Sequence, residues 1–299
     1  MSTWLIFSLL APLSWGISML FDQVLRRTDL KDNISLIFLG GLTRLLLGIF
    51  ILLIINQSLS DIRSTLIIIG AGALWTFGLI PYIKAIAFEE ASRISIMLQS
   101  TPLITLVLSW LLIDETLTLK QTIAFSIIFL ANLIAALKPE VKKIKMSKAL
   151  PLMLLASLMY SAADVVFKAQ QQFQPSFISA MAFYMVGSGM TSLSLLIVRP
   201  YRNTIIEAIK TLSARGWLIF ILSSATGTAG LASFVYALTI GKVALTTLLV
   251  GTQPLFILIM SAVCTPLIKG IIKEDYASIN LAFKGIAMAL VLTGLYLLE

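Results

Sequence analysis

The chain has 299 residues and a formal net charge of +8 at pH 7; 12% of its residues are charged and 59% are hydrophobic. A soluble globular protein has roughly 25% charged residues. The composition, with a mean hydropathy of +0.99, therefore excludes a soluble enzyme, a disordered protein and a nucleic-acid-binding domain. The excess of Lys and Arg is instead typical of the cytoplasmic loops of a membrane protein.

Ten apolar segments are long enough to cross a bilayer as helices, since a helix rises 1.5 Å per residue and the hydrocarbon core is about 30 Å thick. In chain order they are 3–25, 34–55, 64–88, 93–113, 120–137, 149–169, 177–198, 217–240, 242–263 and 281–298. The sequence therefore predicts an all-α integral membrane protein with ten transmembrane helices in the lipid bilayer.

The distribution of basic residues predicts the orientation of these spans. The first span has no basic stretch before it, so it does not resemble a cleavable signal peptide. Of the 22 Lys and Arg residues, 16 lie in loops that follow odd-numbered spans and 4 lie in the opposite set. This bias predicts a multi-pass protein of the cell inner membrane, with both termini outside and loop 138–148 in the cytoplasm. Loop 199–216 contains an amphipathic stretch, which predicts a helix along the lipid headgroups.

A basic run at 138–148 divides the ten spans into two sets of five. The halves align at an offset of 145 near their starts, Leu9-Leu10-Ala11 on Leu154-Leu155-Ala156. Later they align at an offset of 152, which places Gly78 on Gly230 and Pro102 on Pro254. Because each half has an odd number of spans, the halves face opposite ways. We predict two inverted five-helix repeats, 1–137 and 149–299, joined by a cytoplasmic linker at 138–148.

Three stretches resemble the EamA group of the drug/metabolite transporter superfamily. They are the run from Ala85 to Ser92 followed by Pro102, Asp114-Glu115 and Leu117; the arginine Arg44 in the second span; and the pair Trp15-Gly16. The second half departs from the pattern, because Thr265-Pro266-Leu267-Ile268 replaces the counterpart of Glu115. The resemblance implies a metabolite transporter, often an exporter, with a central cavity.

Charged residues inside spans are costly, by about 2.5–3.5 kcal/mol at the bilayer centre, so each requires an explanation. Arg44 lies too deep to reach the headgroups; it is either an anchor for a substrate carboxylate or phosphate, or one side of a structural ion pair. Asp22 and Lys84 lie near the same side and could form a pair, although Lys84 could also extend to the headgroups. Asp164 has Lys168 at i+4, which favours a local ion pair. Asp22 and Asp164 are also our candidates for proton coupling.

Aromatic and amide side chains within the spans are further candidates for substrate binding. The aromatic ones could stack on a substrate or simply pack in the bundle. Gln99 and Gln253 lie beside Pro102 and Pro254, at corresponding places in the two halves, where they could line a cavity or mark helix kinks. Together with Arg44, the predicted binding residues are Trp15, Trp75, Tyr82, Gln99, Tyr160, Tyr236 and Gln253.

The counts of histidine and cysteine and the clusters of small residues bear on metal binding, disulfides and helix packing. The chain has no histidine and one cysteine, Cys264, so we expect no metal site, no cofactor and no disulfide framework. Small-residue clusters such as Gly70-Ala71-Gly72 and Gly187-Ser188-Gly189 allow close helix contacts, either within the bundle or in a homodimer.

We predict a secondary-active transporter, most simply an exporter, of a small organic metabolite such as an amino acid. It would work by alternating access, not as an enzyme, with the small-molecule substrate as its partner and no nucleic acid. A lipid or lipid-linked-substrate flippase is the alternative, followed by a membrane-embedded enzyme. Acid pairs such as Asp114-Glu115 lie at helix ends, which disfavours the enzyme.

Overall fold

A computed structural model of the chain describes residues 2–30, 32–55, 61–89, 91–136, 147–264 and 278–299; the side chains at 91, 92, 261–264 and 278–282 are outside this description. Long apolar runs become helices because lipid offers no partner for backbone polar groups, which a helix satisfies internally. The described helices, joined by a short 3-10 turn at Leu195–Ile197, are α1 (Thr3–Thr28), α2 (Asn33–Ile55), α3 (Ile62–Ile86), α4 (Ala91–Leu98), α5 (Ser100–Ile113), α6 (Leu119–Ala136), α7 (Ala149–Gln171), α8 (Phe177–Ser194), α9 (Arg199–Thr211), α10 (Ala214–Ile240), α11 (Val243–Val250), α12 (Gln253–Cys264) and α13 (Ser278–Leu298).

Nine stretches of the described residues are long and apolar enough to cross a membrane. They coincide with the first nine predicted spans, and two of them are each divided into two helices, α4 with α5 and α11 with α12. The tenth predicted span falls on α13, whose described apolar part, Phe283–Leu298, is shorter than the other nine. The protein is thus a multi-pass membrane protein, and the tenth crossing stays a prediction. Most of the linker 138–148 lies outside the described residues, as do Thr265-Pro266-Leu267-Ile268.

The outer surface of the bundle is apolar, as contact with lipid tails requires. Leu53, Leu119 and Leu46 are 74%, 79% and 59% exposed, and many other large apolar side chains are exposed beside them. The interior instead contains small hydroxyl residues, for example Ser157, Ser161, Ser188 and Ser192, which let helices approach closely.

Antiparallel pairs of helices form the bundle. α1 packs along α10, α2 along α8 and α3 along α7, and α6 packs against α13. We call the side at which α1 ends and α2 begins the Arg26 end, and the side at which α5 ends the Glu115 end. α3 and α8 cross in close contact, where a Cβ on Gly72 would overlap the Tyr184 carbonyl and one on Gly187 would overlap the Ile69 carbonyl. These two glycines therefore serve contacts within the bundle, and a homodimer stays a prediction.

The amphipathic stretch in loop 199–216 forms the helix α9. Its Ile205 is fully buried against residues of α1, α2 and α10 at the Arg26 end, including Leu25, Phe38 and Phe220. At the same end Ser213 caps α10 by accepting from the N–H of Gly216, and the Asp29 carboxylate accepts from the N–H of Ser213 at 3.1 Å. α9 thus covers one end of the bundle.

Candidate functional site

A cavity of about 190 Å³ lies among α1, α2, α3 and α10, in the middle of the bundle and in the half nearer the Arg26 end. Its walls carry both charged and apolar side chains. The charged and hydroxyl residues are Asp22, Arg44, Ser18, Ser223, Ser224 and Thr228, and the apolar ones are Leu36, Ile37, Trp75, Leu79 and Phe220. A smaller cavity of about 60 Å³ adjoins it between α2, α3 and α8 and shares Ile37 and Leu79 with it.

Arg44 projects into the larger cavity from the middle of α2. Its Nε donates to the Ser188 hydroxyl at 2.9 Å, and Ser188 lies 2.8 Å from the Thr76 hydroxyl. Its guanidinium carbon lies 5.9 Å from the centre of the Trp75 ring. No carboxylate in the described part of the chain lies within ion-pair distance of Arg44. Of the two alternatives for Arg44, the structural ion pair is not formed among the described residues. The guanidinium is therefore available to bind an anion in the cavity.

Asp22 lies on another wall of the same cavity. Its Oδ1 accepts from the Ser223 hydroxyl of α10 at 2.6 Å, and Ser223 lies 3.0 Å from the Ser18 hydroxyl. Of the two alternatives for Lys84, the pair with Asp22 is not formed, because Asp22 accepts from Ser223 while the Lys84 side chain is exposed at the end of α3. That exposure matches the other alternative, in which Lys84 extends toward the headgroups.

Asp164 is buried in α7, with 3% of its surface exposed, and its Oδ1 has no hydrogen-bond partner among the described residues. The hydroxyl of Tyr184 on α8 also lacks a partner there, and it lies within electrostatic range of both Asp164 and Arg44. The predicted ion pair of Asp164 with Lys168 is wrong, because Lys168 reaches across to Glu115 on α5 at 2.9 Å. Asp164 and Tyr184 are thus two buried polar groups without a hydrogen-bond partner among the described residues.

The Glu115 end is closed by contacts between the two halves of the chain. The Glu115 carboxylate accepts from Lys168 Nζ and, at 2.7 Å, from the N–H of Val243 at the start of α11, while Lys168 also donates to the carbonyl of Gly241. Asp114, with a φ of 52°, turns the chain so that Glu115 faces these groups. We call Glu115, Lys168, Gly241 and Val243 the Glu115 lock.

The two predicted amide sites lie where the divided spans cross. α4 ends just before Gln99, and α11 ends just before Gly251, its counterpart at the offset of 152. Gln99 is 6% exposed and its Oε1 lacks a described partner, while Asn132 of α6 donates to the Leu248 carbonyl at 3.0 Å. A Cβ on Gly251 would lie 2.8 Å from Gln99 Oε1. Gln99 and the half-buried Gln253 thus mark this crossing, outside the described lining of the cavity.

The predicted aromatic residues are spread over the bundle. Trp75 lines the cavity, and Tyr160 packs behind it with a ring distance of 5.6 Å. Trp15 donates from Nε1 to the Gly227 carbonyl at 3.1 Å, directly behind the wall. Tyr82 packs near the end of α3 beside Met153, and Tyr236 packs between Phe7 and Phe177 toward the Glu115 end. The structure therefore brings Arg44, Asp22 and Trp75 together, with Trp15 and Tyr160 behind them.

The sequence analysis did not single out Ser18, Ser188, Ser223 or Tyr184. Hydroxyl residues are common at membrane helix contacts, so their presence in a span does not identify a site. These residues could be recognised only by their contacts with Asp22 and Arg44 on neighbouring helices. Finding those contacts requires knowing which helices pack against each other. In the described part of the chain, no three acidic or cysteine side chains lie close enough to hold a metal ion.

These features define a multi-pass membrane protein with a polar cavity inside an apolar bundle. The model of the EamA-like transporter family matches residues 2–137. Residues 2–137 are thus similar to the EamA-like transporter family of the drug/metabolite transporter superfamily, which confirms the resemblance seen in the sequence motifs. The matched family is one of membrane transporters, which suggests a membrane transporter of the drug/metabolite type.

Comparisons over the whole chain show the fold. Twenty-seven chains of solved structures match. One of them, titled "Crystal structure of protein", is 15% identical with a TM-score of 0.72, and the alignment covers 98% of this chain and 95% of that chain. No curated protein matches the sequence. The shared fold thus extends through both halves.

Proposed function

We propose that this protein is a secondary-active exporter of a small amphipathic metabolite of the amino-acid type. The observation that carries the proposal is Arg44, a guanidinium without a carboxylate partner among the described residues, on the wall of a cavity inside the bundle. A buried cation is costly to keep unpaired, so its retention favours a role in binding an anion such as a carboxylate. Export follows the resemblance to the EamA group.

The packing of the helices supports alternating access between inverted repeats. If each span is replaced by its counterpart in the other half, α1 corresponds to α7, α3 to α10, α2 to α8 and α6 to α13. The packed pair α1–α10 then corresponds to the packed pair α7–α3, and the pairs α2–α8 and α6–α13 each correspond to themselves. One contact departs from this exchange: α3 packs closely on α8, whereas its counterpart, α10 on α2, barely touches. The cavity lies beside this loose contact. In the alternative conformation α10 would close on α2, α3 would separate from α8, and the cavity would open at the Glu115 end.

The Glu115 lock supports the same mechanism, because it joins the halves at the end away from the cavity. The Ser64 hydroxyl, which donates to the Gln170 carbonyl at 2.9 Å, adds a second contact between the halves at this end. Breaking these contacts would accompany opening. We place the Arg26 end in the cytoplasm, from the bias of basic residues, so the cavity would load from the cytoplasm.

Proton coupling is assigned to Asp164. It is buried with an unpartnered oxygen, and it interacts electrostatically with Tyr184, which interacts in the same way with Arg44 and Tyr160. A substrate carboxylate on Arg44 would change the electrostatic field at Tyr184, and thereby the balance between protonated and ionised Asp164. Asp22, the other candidate, lies on the cavity wall itself.

The main alternative is a lipid flippase, in which a headgroup would occupy the cavity and the acyl chains would leave through the loose contact of α2 and α10. The opposite charges on the walls disfavour a lipid whose headgroup is only anionic, because such a headgroup would leave Asp22 unmatched. The membrane-embedded enzyme has no support from the site.

The test is radiolabelled amino-acid counterflow in proteoliposomes. We expect saturable exchange in the wild type and at least tenfold slower exchange in Arg44→Gln, since a charge-assisted hydrogen bond contributes about 1.5–3 kcal/mol. Arg63→Gln, at the exposed start of α3, is the matched control and should exchange normally. Absence of amino-acid flux together with movement of fluorescent lipid between leaflets would replace our proposal with the flippase. Equal flux in Arg44→Gln and wild type would remove Arg44 from the site.

A further inference from the structure

The two charged residues of the cavity lie on different helices, and each points at the same space without neutralising the other. We propose that the cavity selects zwitterions: Arg44 takes a carboxylate, and a separate subsite built from Asp22, Ser18 and Ser223 takes an ammonium group. This inference rests on the proposed transport of an amino-acid-like metabolite and adds the subsite that recognises its ammonium group.

The ammonium subsite consists of acceptors held in a fixed order. The Ser223 hydroxyl donates to Asp22 Oδ1 at 2.6 Å, so the Ser18 hydroxyl, 3.0 Å away, is the donor to Ser223. The Ser18 proton is then used on Ser223 and the Ser223 proton on the carboxylate, so Ser18 keeps its acceptor lone pairs and Ser223 keeps one. The Asp22 carboxylate has about four acceptor sites and receives one side-chain hydrogen bond from Ser223. An ammonium group, with three donors, matches this set.

The nearest basic residue does not satisfy Asp22. Arg26, one turn later on α1, donates from Nε to the backbone carbonyl of Asp22 at 3.3 Å and from Nη1 to Asn33 Oδ1 at 3.2 Å. Among the described residues, the hydrogen bonds of Arg26 thus go to a carbonyl and an amide, and none of them goes to the Asp22 carboxylate. Arg26 lowers the local negative potential without filling the subsite.

Because Arg44 and Asp22 lie on different walls of the cavity, a bound solute must provide a partner for each of the two charges. A monoanion would neutralise Arg44 but leave Asp22 without a cationic partner, and an amine would neutralise Asp22 but leave Arg44 without an anionic one. Each mismatch leaves an uncompensated charge in a site of low dielectric, which is strongly unfavourable. Only a molecule with both groups pairs both walls. Between them Leu36, Ile37, Leu79 and Phe220 are apolar, so the remainder of the solute is expected to be uncharged.

The experiment is a thermal-shift binding series on the full-length purified protein. The probes are neutral α-amino acids and their ω-amino isomers, each beside the acid without its amino group and the amine without its carboxyl group; leucine, isocaproate and isoamylamine form one such set. We expect a zwitterion to bind at least about tenfold more tightly than either truncated partner, which is the loss of one charge-assisted hydrogen bond.

Variants then separate the two subsites. Asp22→Asn should weaken zwitterion binding at least about tenfold and leave binding of the amine-free acid unchanged, so that the discrimination between them disappears. Thr226→Ala is the control, because Thr226 lies on α10 outside the described cavity lining and its hydroxyl donates to the Leu222 carbonyl of its own helix; it should bind like wild type. If Asp22→Asn discriminates as wild type does, or if no zwitterion binds better than its amine-free acid, the ammonium subsite is wrong. Transport of an anion alone would then leave the proposed transporter intact, whereas absence of any flux in the counterflow assay would overturn the transporter itself.

Discussion

Neutralising Glu115 should release the closed end of the bundle. The carboxylate accepts from Lys168 Nζ at 2.9 Å and from the Val243 N–H at 2.7 Å, and both donors belong to the second half of the chain. Hydrogen bonds to charged groups contribute about 1.5–3 kcal/mol each. The Glu115 and Lys168 side chains keep 11% and 21% of their exposure, and glutamine retains one weaker acceptor. The net shift toward the open conformation in Glu115→Gln is therefore about 1–3 kcal/mol, or about 5–150-fold in the open fraction.

The assay is the rate of modification of a cysteine behind the lock. Cys264→Ala removes the only native cysteine, and Thr65→Cys places a thiol at a site that is 5% exposed and covered by Gln174. In this background, the thiol at position 65 should react with a membrane-impermeant maleimide about 5–150-fold faster when Glu115→Gln is added. Asp61→Asn is the control at the same end, because Asp61 caps only its own helix through the Arg63 N–H. A rate in Glu115→Gln equal to that in the control would refute the lock.

Three further changes test other parts of the structure. Asp164→Asn should flatten the dependence of counterflow on pH, and a pH profile like that of the wild type would remove Asp164 from coupling. Gly187→Ala should lower the thermal midpoint by more than about 5 °C, because its Cβ would overlap a backbone carbonyl, whereas Gly70→Ala, which has open space, should not; equal midpoints would show that the α3–α8 contact is loose. The pKa of Asp29 is lowered by hydrogen bonds from Thr28 and Ser213, so its stabilising effect is present at neutral pH and lost as the pH falls below about 4. Asp29→Asn should thus lower the midpoint by at most about 2 °C at neutral pH and by nothing in acid, and a deficit that persisted in acid would contradict this cause.

Much of the fold could be predicted from hydropathy, because a membrane imposes one length and one secondary structure on each span. Nine spans agree with the structure for this reason. The divisions at Gln99 and Gly251 were indicated by Pro102 and Pro254, since proline disturbs the hydrogen bonds of the preceding turn. The ends of α1 and α10 extend beyond the predicted spans, because polar residues such as Thr28 and Arg215 continue a helix outside the apolar run.

Partners of charged residues could not be predicted in the same way. Spacing along α7 favoured Lys168 for Asp164, yet the lysine side chain is long enough to reach Glu115 on a different helix. Asp22 found a small hydroxyl partner on α10, 201 positions away in sequence. Such pairings depend on which helices are neighbours and on their rotation, and one sequence with two similar halves does not specify either. The depth of Arg44 in its span, by contrast, was evident from position alone.

The most direct test of the central claim is the sidedness of labelling at Ser224, on the cavity wall. In sealed vesicles of Cys264→Ala protein carrying Ser224→Cys, an impermeant maleimide should react from the cytoplasmic side, and a transported amino acid should slow the reaction. With Glu115→Gln added, the reaction should become detectable from the opposite side. Labelling from both sides at once in the parent protein, or no protection by any amino acid, would contradict a solute pathway with alternating access.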